Sequence, residues 1–325
     1  MNTLHRTMLL AWSIFTCASA TALDRRLEIF DARAGGPLPT RFVLPDPNGE
    51  EHSVALIRRF RSDIRLNGKP AAMFKAEIDG RPGAIVRHGE ALDITLDEET
   101  PATPPGSGPI DYETAPTEAL PPFTARRSMV PKAPDADPEA GMTVWLFLHR
   151  EAHEYDRAKV LSWYANWWLD DMETAVMPDV PVRIWVVENA PGITDLDYHA
   201  GMANMRLWDV RRRGKEFATA SGEAVTSLHK FVLLVGDPAE NWGHNAVGIA
   251  AQNIGAAMIS NQGPRLVLAH EMGHLLGARH EDSEYRFLCD TNMVPDVTSL
   301  KLPCKVYTKA NDANIREYVR AAARR

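Results

Sequence analysis

The chain has 325 residues, 45% of them hydrophobic and 24% charged, which is ordinary globular material with room for one large or two modest domains. A formal net charge of −7 and a pI near 5.9 lack the basic excess of a nucleic-acid or anionic-membrane surface, so neither partner is expected. Beyond the N-terminus no stretch reaches the roughly 20 apolar residues of a membrane span, so no stable membrane insertion is expected.

Residues 1–22 read as a secretory signal. His5 and Arg6 precede an apolar run from Met8 to Phe15, and the small residues Ala18-Ser19-Ala20 and Ala20-Thr21-Ala22 offer cleavage after Ala20 or Ala22. The expected destination is outside the cell or the periplasm. Cys17 falls inside the signal, which leaves Cys289 and Cys304. An even pair in an exported protein favours a disulfide. It would close a loop of about 15 residues and contribute about 3 kcal/mol by loop entropy. Two separate buried thiols are the competing reading.

From residue 23 to residue 97 the chain alternates in strand fashion, and Asn67-Gly68, Asp79-Gly80 and His88-Gly89 punctuate short runs such as Ala72–Ile78 and Ala84–Arg87. A small β-rich unit is expected there. Residues 98–140 change character, with Pro101, Pro104, Pro105, Pro121 and Pro122 among small and acidic residues, and read as an extended linker. Arg126-Arg127 inside it is a dibasic target at which a protease could separate the leader from the C-terminal region.

The third region, 141–325, begins with the apolar run Thr143–Leu148, suited to a buried strand. An amphipathic helix comes next over about 156–176, with Val160, Tyr164, Trp167, Trp168 and Met172 at helical spacing. Its tryptophans, Trp163 included, read as core packing against a sheet. Val182–Val187 and Lys230–Val235 are further strands, residues 200–213 a helix, and Arg211-Arg212-Arg213 a solvated loop or helix end. Ile254–Ser260 precedes another helical run, and a terminal helix is expected near Asn311–Arg320. This alternation implies an α/β (α+β) domain with a mixed twisted sheet.

The chemistry is concentrated in His270-Glu271-Met272-Gly273-His274-Leu275-Leu276-Gly277-Ala278-Arg279-His280. His270 and His274 are four residues apart, so both imidazoles leave one face of a helix and can share a metal. Gly277 would end the helix by taking the left-handed conformation, and His280 returns as the third ligand. One zinc ion held by three nitrogens keeps a position for water and lowers that water's pKa to about 7, within reach of Glu271 as general base. Surface histidines on an ordinary amphipathic helix are the bland alternative. Among the other histidines, His149 and His153 share the spacing, but no acidic partner sits next to either in the required way and no third ligand is evident, so they read as surface or strand-end residues. His199, His229 and His244 stand alone, with His244 placed for a role in a cleft.

Residues 270–280 match the HExxHxxGxxH signature of the metzincin metalloproteases, and the chain resembles that superfamily. The resemblance implies a metzincin-like catalytic domain with an active-site helix, preceded by a small propeptide-like β-rich domain. It also implies a methionine turn beneath the ligands, for which Met293 in Asp290–Pro295 is the candidate. A Cys289–Cys304 bridge would clamp that turn. Metzincins carry an edge strand just before the zinc helix, which assigns Ala256, Ala257, Met258, Ile259 and Ser260 to substrate binding by backbone pairing. The competing reading of that strand is ordinary core.

Phe74–Ala84 is similar to the propeptide of the reprolysin or adamalysin branch, whereas Glu281 after the third histidine resembles the astacins. The branch stays open, with a lean to a reprolysin-like member. After the signal no cysteine precedes the third region, so latency through a propeptide thiol is excluded. The expected function is zinc-dependent endopeptidase action on protein or peptide substrates, with Glu271 moving the proton. The alternative is a catalytically inactive, zinc-stabilised secreted binding protein.

Overall fold

A computed structural model of the chain describes residues 25–46, 48–97, 110–111, 141–152, 156–243, 246–297 and 302–324. The expected signal and the linker apart from residues 110–111 lie outside them, as do His153, His244 and Arg126-Arg127. The chain divides into two compact units, one of Met1–Phe60 with Ala71–Asp97, the other of Arg61–Pro70 with Glu98–Arg325.

In the first unit a helix over 25–34, α1, precedes strands β1 (Thr40–Pro45) and β2 (Glu51–Arg59). The chain then leaves for β3 (Asp63–Leu66), which belongs to the second unit, and returns as β4 (Lys69–Ile78), β5 (Arg81–His88) and β6 (Ala91–Leu96). Strand order is β1-β2-β4-β5-β6, antiparallel at every step. The turn between β4 and β5 is Asp79-Gly80, with φ of +52° and +78°, the paired left-handed conformation of a two-residue hairpin. Alternation along these strands buries Leu44, Val54, Leu56, Phe74, Ile78 and Ile85, and α1 closes that face with Phe30, whose ring meets Phe74 edge-on at 5.2 Å. Within the expected span 23–97, strands dominate residues 40–59 and 71–96 of this unit, and residues 61–70 belong to the second unit.

The second unit contains β7 (Ile110–Asp111), β8 (Met142–Leu148), a helical run over 157–176 (α2), β9 (Val182–Val187), α3 (Ala203–Ala220), β10 (His229–Val235), β11 (Gly248–Ala251) and β12 (Ala256–Ser260). It continues through α4 (Val267–Leu275), β13 (Cys289–Asp290), β14 (Asp296–Val297), β15 (Leu302–Pro303) and α5 (Lys309–Ala323). The main sheet of this unit has the order β3-β9-β8-β10-β12-β11, parallel except for β11. It is the mixed sheet expected. Strands β8 and β10 are buried on both faces, which is why they read as unbroken apolar runs. Trp145, Phe147, Phe231 and Leu233 pack with Leu207, Val210 and Ala218 of α3, while α4 packs on β11 and β12.

Three local features differ from expectation. The helical run α2 widens into π turns at Leu161–Ala165 and Met172–Val176, which a count of apolar spacing does not separate from regular helix. Trp167 and Trp168 are buried as expected, but Trp163 is half-buried with the Arg265 guanidinium 3.8 Å above its ring. Arg211–Arg213 lies inside α3, not at its end, and only Arg212 is exposed, because Arg211 packs 4.8 Å from the Phe231 ring.

Strand β3 enters the sheet of the second unit through several kinds of contact. It runs parallel to β9 in the register Asp63↔Arg183 to Leu66↔Val186 and buries Ile64 and Leu66, worth about 1.5–3 kcal/mol each. The buried Glu173 carboxylate at the end of α2 accepts from the backbone N–H groups of Arg61 and Ser62 and from the Ser62 hydroxyl, at 2.6–3.1 Å.

Asp171, just before Glu173 on α2, is also buried, and its Oδ2 accepts from the Tyr307 N–H at 2.9 Å. Burial raises its pKa from 3.8 to about 7. Between those values the folded protein holds a proton that the unfolded chain has released, so this stabilisation is complete below pH 4 and lost as pH rises toward 7. In urea titrations across that window, the stability of the wild type relative to Asp171→Asn is expected to fall with rising pH. A pH-independent difference would show that Asp171 stays ionised.

Candidate metal centre

Helix α4 forms because Val267, Leu268, Met272 and Leu275 place an apolar surface against the sheet and against α2. It ends as the glycine position requires. Gly277 has φ +90°, its N–H donates to the His274 carbonyl, and the Ala278 N–H donates to the Gly273 carbonyl at 2.9 Å. These two bonds are a Schellman termination, which turns the chain sideways within two residues. A short 3₁₀ turn, His280–Asp282, then presents the third histidine.

The result is a triangle of nitrogens. The Nε2 atoms of His270, His274 and His280 lie 3.0, 3.0 and 3.1 Å apart, which suits one ion bonded to all three at about 2.0–2.1 Å. His270 Nδ1 is 2.8 Å from the Asn292 carbonyl and can only donate to it, so Nε2 carries the lone pair that faces the centre. Burial, then repulsion between the rings, lowers the His270 pKa well below the usual range and that of His274 to about 3, so both rings are uncharged at neutral pH and each keeps a single N–H. Glu271 is completely buried, and neither carboxylate oxygen has a hydrogen-bond partner among the described residues. Burial pushes its pKa well above the usual carboxylate range, and a dication beside it would oppose that shift. Three converging imidazoles beside an orphaned carboxylate form a site for one Zn²⁺.

The surroundings hold this arrangement from below and from the side. A Cβ on Gly273 would overlap the sulfur of Met293, so the methionine lies directly against the ligand helix. Met293 is fully buried. The Cys289–Cys304 disulfide is formed, and β13 pairs with β15 beside it, so the loop carrying Asn292 and Met293 is closed at its base.

Sequence reasoning missed the support of the third ligand. The side chain of Asn311, fully buried at the start of α5, accepts from the Arg279 N–H at 2.7 Å and donates to the Arg279 carbonyl at 3.1 Å. Thr308 donates to the Asp282 carbonyl at 2.6 Å and Asn314 donates to the Asp282 carboxylate at 2.7 Å, so the terminal helix grips both ends of the turn that bears His280. Tyr307 donates to the Ala269 carbonyl on α4.

The substrate-strand assignment needs correction. Ala256–Ser260 is not an edge strand: β12 is bonded to β10 on one side and β11 on the other, and all five residues are buried. Its backbone groups are therefore already paired. The terminal strand on this side of the sheet is β11, Gly248–Ala251. A Cβ on Gly248 would overlap Glu271 Oε1, so β11 lies against the carboxylate. Of the other histidines, His149 is a buried strand-end residue bonded to the Leu196 carbonyl at 3.1 Å, and His229 is buried with its pKa lowered to about 4 by desolvation. Neither joins the centre.

No protein-family model matches the chain, and no curated protein matches it. Among solved structures it is similar to metalloproteinase-II from Bacteroides fragilis, with 13% identity, a TM-score of 0.49, and 83% of this chain and 87% of that chain covered. A zinc-dependent peptidase from Methanocorpusculum labreanum is similar at 16% identity and a TM-score of 0.29, over 53% of this chain and 99% of that one. Likenesses of this size leave the assignment of the site to its own geometry.

Asn311→Ala is expected to lower zinc affinity by about 10–100 fold, because the turn carrying His280 loses its two bonds to Arg279. Competition with a chromophoric chelator measures this. An unchanged affinity would mean that His280 is positioned by its own loop.

Proposed function

We propose that this chain is an exported zinc-dependent endopeptidase of metzincin type, with Glu271 as general base and general acid. The observation that carries this reading is the convergence of three Nε2 atoms within 3.1 Å beside a buried carboxylate that no other described residue engages. A cage built only to hold metal has no use for such a group.

His270, His274 and His280 would hold the ion. When bound, zinc supplies a Lewis acid and lowers the pKa of water to about 7. Glu271 takes the proton of the attacking water on a carboxylate oxygen and later delivers it to the leaving amine, with no covalent intermediate. The bare Cα of Gly248 leaves that carboxylate the space it occupies. An extended peptide would pair with the outer edge of β11, in place of the pairing expected of Ala256–Ser260, and would pass the cleft lined by Gln252, His274, His280 and Glu281. The N-terminal signal supports export. The β-rich first unit is read as propeptide-like, and Phe74–Ala84, which forms much of the β4–β5 hairpin, supports the lean to the reprolysin branch.

Glu271→Ala is expected to retain one zinc per chain and lower turnover by about 10² to 10⁴ fold. Full activity of that variant against a denatured protein would sink the mechanism. Gly248→Val should depress turnover as well, since its side chain must displace the Glu271 carboxylate, while zinc content stays at one. Chelator-sensitive cleavage of a denatured protein separates this reading from an inactive, zinc-stabilised binding protein, which would show none.

A further inference from the structure

Residues 61–70 lie on the leader side of the linker, yet they are part of the second unit. Strand β3 supplies one whole side of β9, with which it pairs over four positions. Asp63 forms an ion pair with Arg183 at 3.0 Å, and the Arg65 guanidinium stands 5.4 Å from the Trp185 ring. Beyond the strand, the Asn67 N–H donates to the Val186 carbonyl at 2.9 Å and its side chain accepts from the Glu188 N–H at 2.8 Å. At the other end the buried Glu173 accepts from the Arg61 and Ser62 N–H groups and from the Ser62 hydroxyl, so residues 61–62 supply hydrogen bonds to a polar group of the interior.

A second anchor lies closer to the dibasic sequence. Ile110–Asp111 of β7 pairs antiparallel with Asp296–Val297 of β14, three residues past Met293. Both β3 and β7 precede Arg126-Arg127 in the chain, so a cut there breaks neither pairing.

We propose that β3 is a permanent strand of the metal-bearing unit, so that scission at the linker leaves the N-terminal region bound as a non-covalent second subunit of the enzyme. Residues 61–66 fill the open side of β9, which would otherwise present a row of unpaired backbone groups and the apolar surface that Ile64 and Leu66 now cover. The partner of that surface is this chain's own leader. Such an assembly forms whether or not the site is a peptidase.

The full-length chain carrying Glu271→Gln, to suppress self-digestion, and a site-specific protease sequence in place of Arg126-Arg127 provides the test. After cleavage, the two fragments are expected to co-elute by size exclusion in native buffer and to separate only in denaturant. Separation in native buffer, with the C-terminal fragment still folded and binding zinc, would overturn the proposal. The same nicked protein carrying Ile64→Lys should dissociate, and equal retention would locate the association elsewhere and overturn it too. If that variant does not fold, hydrogen exchange on the nicked parent decides. The β9 amides should keep protection within about tenfold of the uncut chain, and their free exchange would refute a permanent strand.

Discussion

Everything in the second unit converges on one demand, that three imidazole nitrogens approach within 3.1 Å of each other with their lone pairs facing inward. Neutral rings at that separation gain nothing from each other, and protonated ones repel, so the geometry has to be imposed from outside. Four separate pieces of chain impose it: the rigid rise of α4, the Gly277 termination, the Asn292 carbonyl that orients His270, and the Asn311 side chain that holds the His280 turn. Each supplies a direction that the others cannot. The sheet, with β8 and β10 buried on both faces, is the floor against which all four are referenced.

The parts of this arrangement that were legible in the sequence are those in which cause and effect lie within a few residues. The grouping of His270, His274 and His280 and the turn at Gly277 follow from spacing alone, since a helical face and a left-handed glycine are local properties. Cys289 and Cys304 were readable for a related reason, as the single pair of thiols left once Cys17 is assigned to the expected signal. Asn311 was not, because the residue it binds is 32 positions earlier and nothing about an asparagine at a helix start announces a distant backbone. The edge strand was misplaced because β11 and β12 are short neighbours of small and apolar residues, and strand order within a sheet is not a property of either segment's pattern. Strand β3 escaped notice as a member of the second unit because its partner β9 lies more than a hundred residues along the chain.

Two carboxylates on α2 show how polar interior groups tie separate segments together. Glu173 is satisfied by the residues that open β3, and Asp171 by the backbone just before α5. One helical turn thus fixes both an N-terminal strand and the C-terminal helix that supports the third ligand. Both contacts are long in sequence, so the second unit cannot complete its metal site from the motif region alone.

The contact between Gly273 and Met293 carries a chemical consequence of its own. The sulfur is fully buried and touches the ligand helix at a point where one added carbon atom has no room. An oxygen atom on that sulfur would bring a polar group into a fully buried position, and no oxidant reaches the sulfur while it stays covered. Sulfoxide formation at Met293 therefore requires the turn to open first, and peroxide damage at this position would be a chemical record of how often the floor of the metal site comes apart.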